Sequence, residues 1–421
     1  MQTLEANSTS SDAGPIRRAL ALMYRVGVLS ISTALEAIVG LCLTPLITRF
    51  VDPSVWGGFQ LSQRVMNFGH SLVLPGLNES AVQSAAKSFH GNFQVLQRRK
   101  FRAALWAGAA MCGIGLCYLF WGETQIGLMI IASAAVFPWV SRFSGLPEAW
   151  GSGSGDVKLI TKMRVIRTLA GVAVVVGIIV TPADWRYCLW PLAATLISGY
   201  LVCRMIEQSL CNNDVNSDLQ SVGERMTWAR IVNGLLLSTE FLIIERLLGA
   251  GIAGVAGWGA ALTLSQYFKV FLANVQIVIT KRLYGSSPLK EKLANVLPWT
   301  RLYFVAMLVI SVPVFLFGSR FVVVYFGERW AASADVGVAL LITVIVISVT
   351  DFYSSIMLAE QDVLYNNTIF LVAGITMPLL TWAGAEWGGI YGLAVSRIVW
   401  NALSVLTRLA FMIRHMRAVN A

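Results

Sequence analysis

Charged side chains are scarce in this sequence, since only 13% of its 421 residues are Asp, Glu, Lys or Arg. A typical soluble domain carries about 25% of these residues, so the composition excludes an ordinary soluble domain. Histidine is scarcer still, at three residues, and the six cysteines form no Cys-x-x-Cys pair. A metal centre or a histidine-based catalytic site would lack ligands. We therefore predict no catalytic residue, no metal and no cofactor.

Apolar residues make up 56% of the chain, and the mean hydropathy is +0.68. They fall into runs of about 20 residues, the length that a helix needs to cross a hydrocarbon core roughly 30 Å thick. This pattern predicts an all-α integral membrane protein with about twelve transmembrane helices. We place these helices near residues 24–48, 56–78, 103–121, 125–147, 163–182, 187–206, 228–248, 252–280, 302–318, 334–358, 365–384 and 389–412.

A polar stretch near the middle of the chain divides the predicted helices into two lobes of six. Two halves with weak internal symmetry are typical of transporters, in which the substrate site lies between the repeats. We predict a polar cytoplasmic tail at 1–23, an N-lobe at 24–206, a central cytoplasmic loop at 207–227, a C-lobe at 228–412 and a second cytoplasmic tail at 413–421.

Lysine and arginine concentrate in particular loops, and this asymmetry predicts the orientation in the membrane. The segments 87–102, 158–167 and 281–292 are all basic. By the positive-inside rule these loops are cytoplasmic, which places both termini in the cytoplasm. The net charge of +10 therefore indicates topology, and we predict no nucleic-acid partner.

Two stretches, Arg49–Gly69 and Arg246–Lys269, match loosely and suggest a duplication. In each, an apolar helix ends in an arginine, a Gly-containing turn follows, and the next helix carries Leu-Ser-Gln. Each copy then places a cation, Arg64 or Lys269, inside that second helix. A charge at hydrocarbon depth costs several kcal/mol unless it faces water, a partner or a ligand, so both cations are candidate functional residues.

Ionisable residues within the predicted spans divide into cations and acids. Arginine and lysine in a water-filled cavity suit an anionic ligand such as a phosphorylated headgroup. The acids would neutralise those cations or bind a coupling H⁺ or Na⁺. We predict substrate-binding roles for Arg64, Arg142 and Lys269, and ion-coupling or charge-partner roles for Glu36, Glu240 and Asp351. Arg397 is a further candidate for substrate binding, with a structural role as its alternative.

The alternative for each of these residues is an internal ion pair or a long side chain that reaches the membrane surface. The glycine-rich stretch Gly151–Gly155 is a separate candidate, for phosphate binding. It lacks the following Lys-Ser/Thr of a phosphate-binding loop, and we interpret it as a flexible cytoplasmic connection.

Four segments resemble the Wzx-type polysaccharide and oligosaccharide-lipid flippases, in the MOP exporter superfamily that also contains the multidrug MATE exporters. They are PLITRFVDPSVWGGFQLS at Pro45–Ser62, STEFLIIERLLGAGIAG at Ser238–Gly254, FGERWAASA at Phe326–Ala334 and EWGGIYGLAVSRI at Glu386–Ile398. The resemblance implies a twelve-helix, two-lobe fold with a central cationic cavity. It also implies an acid at Glu240, five residues before a glycine. Here Glu245 occupies the glycine position, which leaves the role of Glu245 open.

The prediction for function is a flippase of the bacterial inner membrane. It would move an undecaprenyl-diphosphate-linked oligosaccharide, a unit of O-antigen, capsule or exopolysaccharide, by alternating access. Its expected partners are this lipid-linked oligosaccharide, membrane lipids, and the glycan polymerase and glycosyltransferases of the same pathway.

Two other functions are alternatives. A MATE-like, cation-coupled multidrug exporter would favour an acid-dominated cavity. A membrane glycan polymerase or ligase would need a large outer loop with catalytic residues. The longest predicted outer segment, at about 318–334, is short and carries Glu328 as its acid.

Overall fold

The computed structural model describes residues 53–181, 189–247, 289–326 and 331–420, together with Ile31, Arg186, Trp258, Leu283 and Glu328. These residues form helices and no strand. In chain order the helices are α1 (Pro53–Leu72), α2 (Leu77–Ala86), α3 (Asn92–Phe120), α4 (Thr124–Phe143), α5 (Leu146–Ser154), α6 (Val157–Val180), α7 (Leu189–Ser209), α8 (Ser217–Leu247), α9 (Leu289–Phe326), α10 (Ala331–Ala359) and α11 (Val363–Asn420).

The helices have the length and the apolar outer surface of helices that contact lipid. Five stretches of the described residues are long and apolar enough to cross a membrane, and α3, α6, α7 and α11 supply four of them. Large apolar side chains project outward, with Trp106 81% exposed and Phe120 88% exposed. Such a surface is unfavourable in water but is what a bilayer requires. The prediction of an all-α, multi-pass membrane protein is therefore confirmed.

The predicted number of twelve helices and the cytoplasmic location of both termini stay predictions. Apart from Ile31 and Trp258, the predicted spans at 24–48 and 252–280 lie outside the described residues.

Two groups of helices pack mainly within themselves: α1–α7, here called the N-terminal bundle, and α8–α11, the C-terminal bundle. Met111, Ile130 and Phe137 are fully buried in one core of the N-terminal bundle. The main contacts between the bundles are made by α1 and α2, which both lie against α8. Helices α1, α2 and α8 therefore lie at the interface between the two bundles.

The helix α11 is a hairpin whose two arms join at Gly388 and Gly389. Gly389 has φ of 54°, a conformation that glycine adopts readily and other residues rarely adopt. Gly384 and Gly392 bring the arms together, because a Cβ on Gly392 would lie 2.0 Å from the carbonyl oxygen of Gly384. The break falls between the predicted spans at 365–384 and 389–412, so the two arms correspond to those spans.

The expectation that Gly151–Gly155 is a flexible connection is wrong for most of its length. Residues up to Ser154 belong to α5, and Gly155, with φ of 63°, ends that helix. A Cβ on Gly153 would lie 2.2 Å from the carbonyl oxygen of Val82, so glycine allows α5 to touch α2 here. The glycines therefore serve close helix packing.

The predicted central loop at 207–227 is shorter in the structure. Helix α8 begins at Ser217, and residues 210–216 form the connection. Asn216 accepts hydrogen bonds through Oδ1 from the backbone N–H groups of Asp218 (2.9 Å) and Leu219 (3.1 Å). This side-chain cap satisfies two of the free N–H groups at the helix start.

Candidate functional site: a buried charge cluster between the bundles

Glu240 is a buried carboxylate on α8, with 5% of its surface exposed. The Nη1 atom of Arg397 donates to Glu240 Oε1 at 3.2 Å and to Oε2 at 3.3 Å. The indole N–H of Trp258, itself fully buried, donates to Oε1 at 3.2 Å. A buried charge is tolerated when it is both paired and hydrogen-bonded, and Glu240 meets both conditions.

The α11 hairpin holds Arg397 in place. Its guanidinium lies over the ring of Trp400, 4.6 Å from the ring centroid, and Nη1 also lies 3.5 Å from the sulfur of Met377. Trp400 is anchored in turn, because its indole N–H donates to the carbonyl oxygen of Ala373 at 2.8 Å. Met377 and Ala373 belong to the first arm and Arg397 and Trp400 to the second. The hairpin thus pre-orients the guanidinium toward α8.

Arg64 brings a second cation to the cluster, from the N-terminal bundle. It lies on α1, which packs against α8, and its side chain is partly buried. The Glu240 carboxylate and the Arg397 guanidinium both act electrostatically on Arg64. Cations from opposite bundles therefore lie within electrostatic range of one carboxylate.

Two guanidinium groups near each other in a low-dielectric region suit an anionic ligand. Guanidinium groups bind phosphate oxygens in pairs of parallel hydrogen bonds, so a phosphate or diphosphate is the anion that this geometry suits best. We call Arg64, Glu240, Trp258 and Arg397 the charge cluster.

The structure places the other predicted site residues differently. Arg142 lies in the last turn of α4, 5.9 Å from the ring centroid of Phe101 and 5.7 Å from that of Phe143. These described contacts all lie within the N-terminal bundle, so Arg142 is not part of the charge cluster. Asp351 lies on α10, but its side chain is outside the described part of the chain. Glu36 and Lys269 lie outside the described residues altogether.

Lys100 is a buried cation that the sequence analysis assigned to a basic cytoplasmic loop. It lies in α3, is 6% exposed, and donates through Nζ to Asn78 Oδ1 at 2.8 Å. Spacings of four residues put it on the face of α3 that also carries the buried Leu96 and Ala104. This four-residue spacing could have indicated that Lys100 is buried. The neighbouring residues 98–102 are mostly basic, and for that reason the sequence analysis assigned Lys100 to a loop.

A second group of polar contacts joins the two bundles at the end predicted to be cytoplasmic. Both terminal nitrogens of Arg230, on α8, donate to Glu79 Oε1 on α2 at 3.2 Å. Arg230 Nε donates to Asn366 Oδ1 at 3.0 Å, and the guanidinium lies 4.9 Å from the ring centroid of Phe370. Sequence reasoning missed Arg230 because it stands at the edge of an apolar run, where a cation needs no explanation.

Gln83 strengthens this junction from the next turn of α2. Its Nε2 donates to the carbonyl oxygen of Leu358 at 3.3 Å, and its Oε1 accepts from Gln361 Nε2 at 2.8 Å. Gln83 is 1% exposed, so both contacts are shielded from water. We call Glu79, Gln83, Arg230, Gln361 and Asn366 the polar latch.

No protein-family model matches this chain, and no curated protein matches its sequence. Solved structures do match. The chain aligns with the outward-facing conformation of a multidrug resistance MATE family transporter of the MOP superfamily, with a TM-score of 0.68 over 95% of this chain and 97% of the other. The chain has the fold of the MATE transporters. At 12% identity, this likeness concerns the fold and does not extend to the transported substrate.

Two further MATE-fold structures match over similar lengths. The inward-facing conformation of a multidrug resistance MATE family transporter gives a TM-score of 0.64 at 12% identity, over 95% of this chain and 99% of the other. A MOP superfamily transporter from Pyrococcus furiosus gives 0.62 at 12% identity, over 96% of each chain. That structure is described as having a binding pocket of reverse polarity, which suggests a different function for that protein. All three neighbours are described as transporters.

Proposed function

We propose that this protein is a flippase of the bacterial inner membrane that translocates an undecaprenyl-diphosphate-linked oligosaccharide by alternating access. No covalent bond is made or broken. The barrier is the transfer of a charged, sugar-bearing headgroup through hydrocarbon, where each unsatisfied polar group costs several kcal/mol. The protein lowers this barrier by offering the headgroup a polar cavity while the polyprenyl chain stays in the lipid.

The observation that carries this proposal is that two guanidinium groups from opposite bundles, those of Arg64 and Arg397, lie within electrostatic range of each other and of Glu240. A diphosphate presents several oxygens that two arginines can bind at once. Arg64 and Arg397 come from opposite bundles, so a bound diphosphate would bridge the two halves of the transporter. Arg142 and Lys269 are proposed to extend this cationic path, as the sequence predicts.

Glu240 has a defined part in this scheme. In the structure it neutralises Arg397, and a diphosphate that binds Arg397 would compete with it for that guanidinium. A buried carboxylate that loses its cation partner binds H⁺ or Na⁺ more readily. Exchange of Arg397 between Glu240 and the headgroup would thus couple substrate binding to an ion. Glu36 and Asp351 are the other candidates for this coupling.

A MATE-like, cation-coupled multidrug exporter is the second candidate, since two of the matched structures are multidrug resistance MATE transporters. In that case Glu240 would receive the cationic drug and Arg397 would be its partner in the empty state. The Pyrococcus furiosus transporter favours the flippase proposal over the multidrug exporter. Its structure is similar, and its binding pocket is described as having reverse polarity. The sign of the charge around Glu240 is therefore what separates the two functions.

The decisive experiment measures binding to purified protein in lipid nanodiscs. The probes are undecaprenyl diphosphate and the cationic dye ethidium, compared in wild type, Arg64→Ala and Arg64→Lys. Loss of one charge-assisted contact to phosphate weakens binding by about ten- to hundredfold, and lysine restores part of it. Arg64 is the better target than Arg397, because Arg64→Ala leaves the Arg397–Glu240 pair intact.

Arg204→Ala is the matched control. Arg204 is also an arginine on a membrane helix, but its side chain is 61% exposed and lies over Tyr200. Its replacement should leave lipid-diphosphate binding unchanged. Equal losses in Arg64→Ala and Arg204→Ala would contradict a headgroup site. Tight ethidium binding that disappears in Glu240→Gln would support the multidrug exporter instead.

The same variants can be followed in cells. Export of surface polysaccharide is measured in a strain that lacks its own O-antigen flippase, together with the amount of each variant in the membrane. Export lost at a normal protein level supports the proposal. Normal export in both Arg64→Ala and Lys269→Ala would rule out the cationic mechanism.

A further inference from the structure

Helix α2 of the N-terminal bundle makes direct contacts with the C-terminal bundle. It packs against α5 on one side and against α8 on the other. Val82 and Ala86 lie on a core cluster of the C-terminal bundle that includes Tyr353, Ile356 and Met357. Any movement that separates the bundles at this end must therefore pull α2 out of the C-terminal bundle.

The charged contact of the polar latch is largely removed from water. The side chains of Arg230 and Glu79 are only 11% and 17% exposed. Hydrogen bonds to charged groups are stronger than neutral ones, and the effect is larger where water is excluded. Arg230 also donates to Asn366, so a single guanidinium ties α2 to both α8 and α11.

The uncharged contacts of the latch are also shielded. Gln83 uses both ends of its amide, toward Leu358 and Gln361 of the C-terminal bundle. One turn earlier, the buried hydroxyl of Ser80 donates to the carbonyl oxygen of Leu219 at 2.6 Å. Every one of these contacts is broken if α2 leaves the C-terminal bundle, and none depends on a substrate.

The backbones approach closely at the same place. A Cβ on Gly76 would lie 2.0 Å from the carbonyl oxygen of Gly223, and a Cβ on Gly223 would lie 2.1 Å from Ser80 Oγ. The two glycines let the start of α2 and the first turns of α8 touch directly. The surfaces of α2 and α8 thus fit closely at this end, as expected where a path between the bundles is closed.

We propose that the polar latch is the gate that closes the predicted cytoplasmic end of the transporter. Opening that end requires Arg230 to release Glu79 and Gln361 to release Gln83. The structure is then a conformation that is closed at this end. The inference rests on the proposed function only in that the bundles alternate, and it does not depend on the substrate.

The test uses a cysteine as a reporter of opening. Val82→Cys is introduced into a protein whose own six cysteines are replaced by Ser or Ala. Its reaction with a membrane-impermeant maleimide is followed from the cytoplasmic side, in inverted vesicles. Cysteine is close to valine in size, and the C-terminal bundle covers this position in the structure. Labelling should therefore be slow while the gate is closed.

Breaking the latch should speed this reaction. With Glu79→Gln, labelling of the Val82→Cys reporter should rise about fivefold or more, because a shielded charged contact shifts such an equilibrium by about a factor of ten. Gln361→Ala removes only one uncharged contact, so its rise should be smaller, about twofold to threefold. This second variant also tests the proposal if Glu79→Gln fails to reach the membrane.

The matched control is Arg99→Gln. Arg99 forms an ion pair with Glu224 that also joins the N-terminal bundle to α8, but its side chain is 42% exposed and that of Glu224 is 50% exposed. Exposed pairs contribute little, so the labelling rate should change by less than about twofold. An equal rise in Arg99→Gln and Glu79→Gln would overturn the gate, as would an unchanged rate in both latch variants.

A second protein, which retains Cys203 as its single cysteine, distinguishes general unfolding from gate opening. Cys203 is 2% exposed within a core of the N-terminal bundle, away from the latch. Its labelling should stay slow in Glu79→Gln, since the bundles move as units. Fast labelling of Cys203 would show unfolding and contradict the gate. Failure of the lipid-binding assay above would leave these results standing, because the labelling needs no substrate.

Discussion

The charge cluster and the polar latch both contain a partly buried arginine paired with a glutamate, yet the groups around each pair differ. In the latch, Arg230 meets Glu79, and its other described partners are neutral amide or carbonyl groups and an aromatic ring. In the cluster, Arg397 meets Glu240, and a second guanidinium, that of Arg64, lies within electrostatic range of both. We therefore expect the latch to hold the bundles together, and we propose the cluster as the place where an anionic ligand binds.

The surroundings reinforce this difference. The latch is built largely from side chains that hydrogen-bond to each other across α2, α8 and the start of α11, so it is complete when the bundles meet. In the cluster, the α11 hairpin orients Arg397 toward Glu240 within one bundle, and Arg64 comes from the other. If the cluster is a binding site, a ligand should join it while the bundles stay packed. The predictions below test this contrast, from the largest expected effect to the smallest.

The largest effect is expected for Glu240→Ala. It removes the partner of Arg397 and leaves a guanidinium that is 19% exposed without its carboxylate, which costs about 3–5 kcal/mol. The measurement is thermal unfolding in detergent, together with the amount of protein in the membrane. Glu207→Ala is the control, because Glu207 pairs at 3.7 Å with Arg204, whose side chain is 61% exposed. Similar losses in both variants would show that Glu240 is not a buried partner.

Gly76→Ala should have the next largest effect. Its Cβ would lie 2.0 Å from the carbonyl oxygen of Gly223, so α2 and α8 must move apart, at a cost of about 1–3 kcal/mol. Gly113→Ala is the matched control. It lies on α3 with no atom within 4 Å of its added Cβ, and alanine there should stabilise the helix by about 0.5–1 kcal/mol. Opposite shifts in melting temperature are expected, and shifts of the same sign would contradict the close contact.

Trp400→Phe should give a moderate loss. It removes the hydrogen bond to Ala373 and weakens the ring contact to Arg397, for about 1–2 kcal/mol together. Trp387→Phe is its control, because Trp387 is 89% exposed. The loss should appear both in the melting temperature and in undecaprenyl diphosphate binding. A loss of stability with unchanged binding would show that Arg397 does not touch the headgroup.

Arg99→Ala should have the smallest effect on stability. The pair with Glu224 is exposed on both sides, so its removal should change the free energy of unfolding by no more than about 0.5 kcal/mol. The same substitution at Arg230 should cost several times more. The two variants are compared by thermal unfolding at low and high salt. An effect of Arg99→Ala as large as that of Arg230→Ala would remove the distinction between an exposed pair and the latch.

Glu240 and Arg397 were both recognisable from the sequence, because a charge within an apolar run is rare. Their pairing was not. They are 157 residues apart, and no local pattern relates a residue on α8 to one on α11. For Arg397 both substrate binding and a structural role were predicted, and its contact with Glu240 makes it the partner of a predicted coupling residue. The predicted roles of Glu36, Lys269 and Asp351 remain predictions.

Lys100 and Gly151–Gly155 show where local reasoning fails. A lysine among basic residues resembles a solvated loop, and only the packing of α3 against its neighbours shows that Lys100 is buried. A run of glycine and serine resembles a flexible connection. It forms most of the second half of a helix here, because α5 must approach the backbone of α2 more closely than a side chain would allow.

Composition and the length of the apolar runs by themselves determined that this chain is a helical membrane protein, because hydrocarbon accepts little except apolar helices about 20 residues long. Tertiary structure alone decided which charges meet. The packing of helices that are distant in sequence brings Glu240 into contact with Arg397, and Arg230 into contact with Glu79. The physical reason is that insertion depends on each segment's own transfer free energy, whereas ion pairing depends on distances that exist only after the helices have packed.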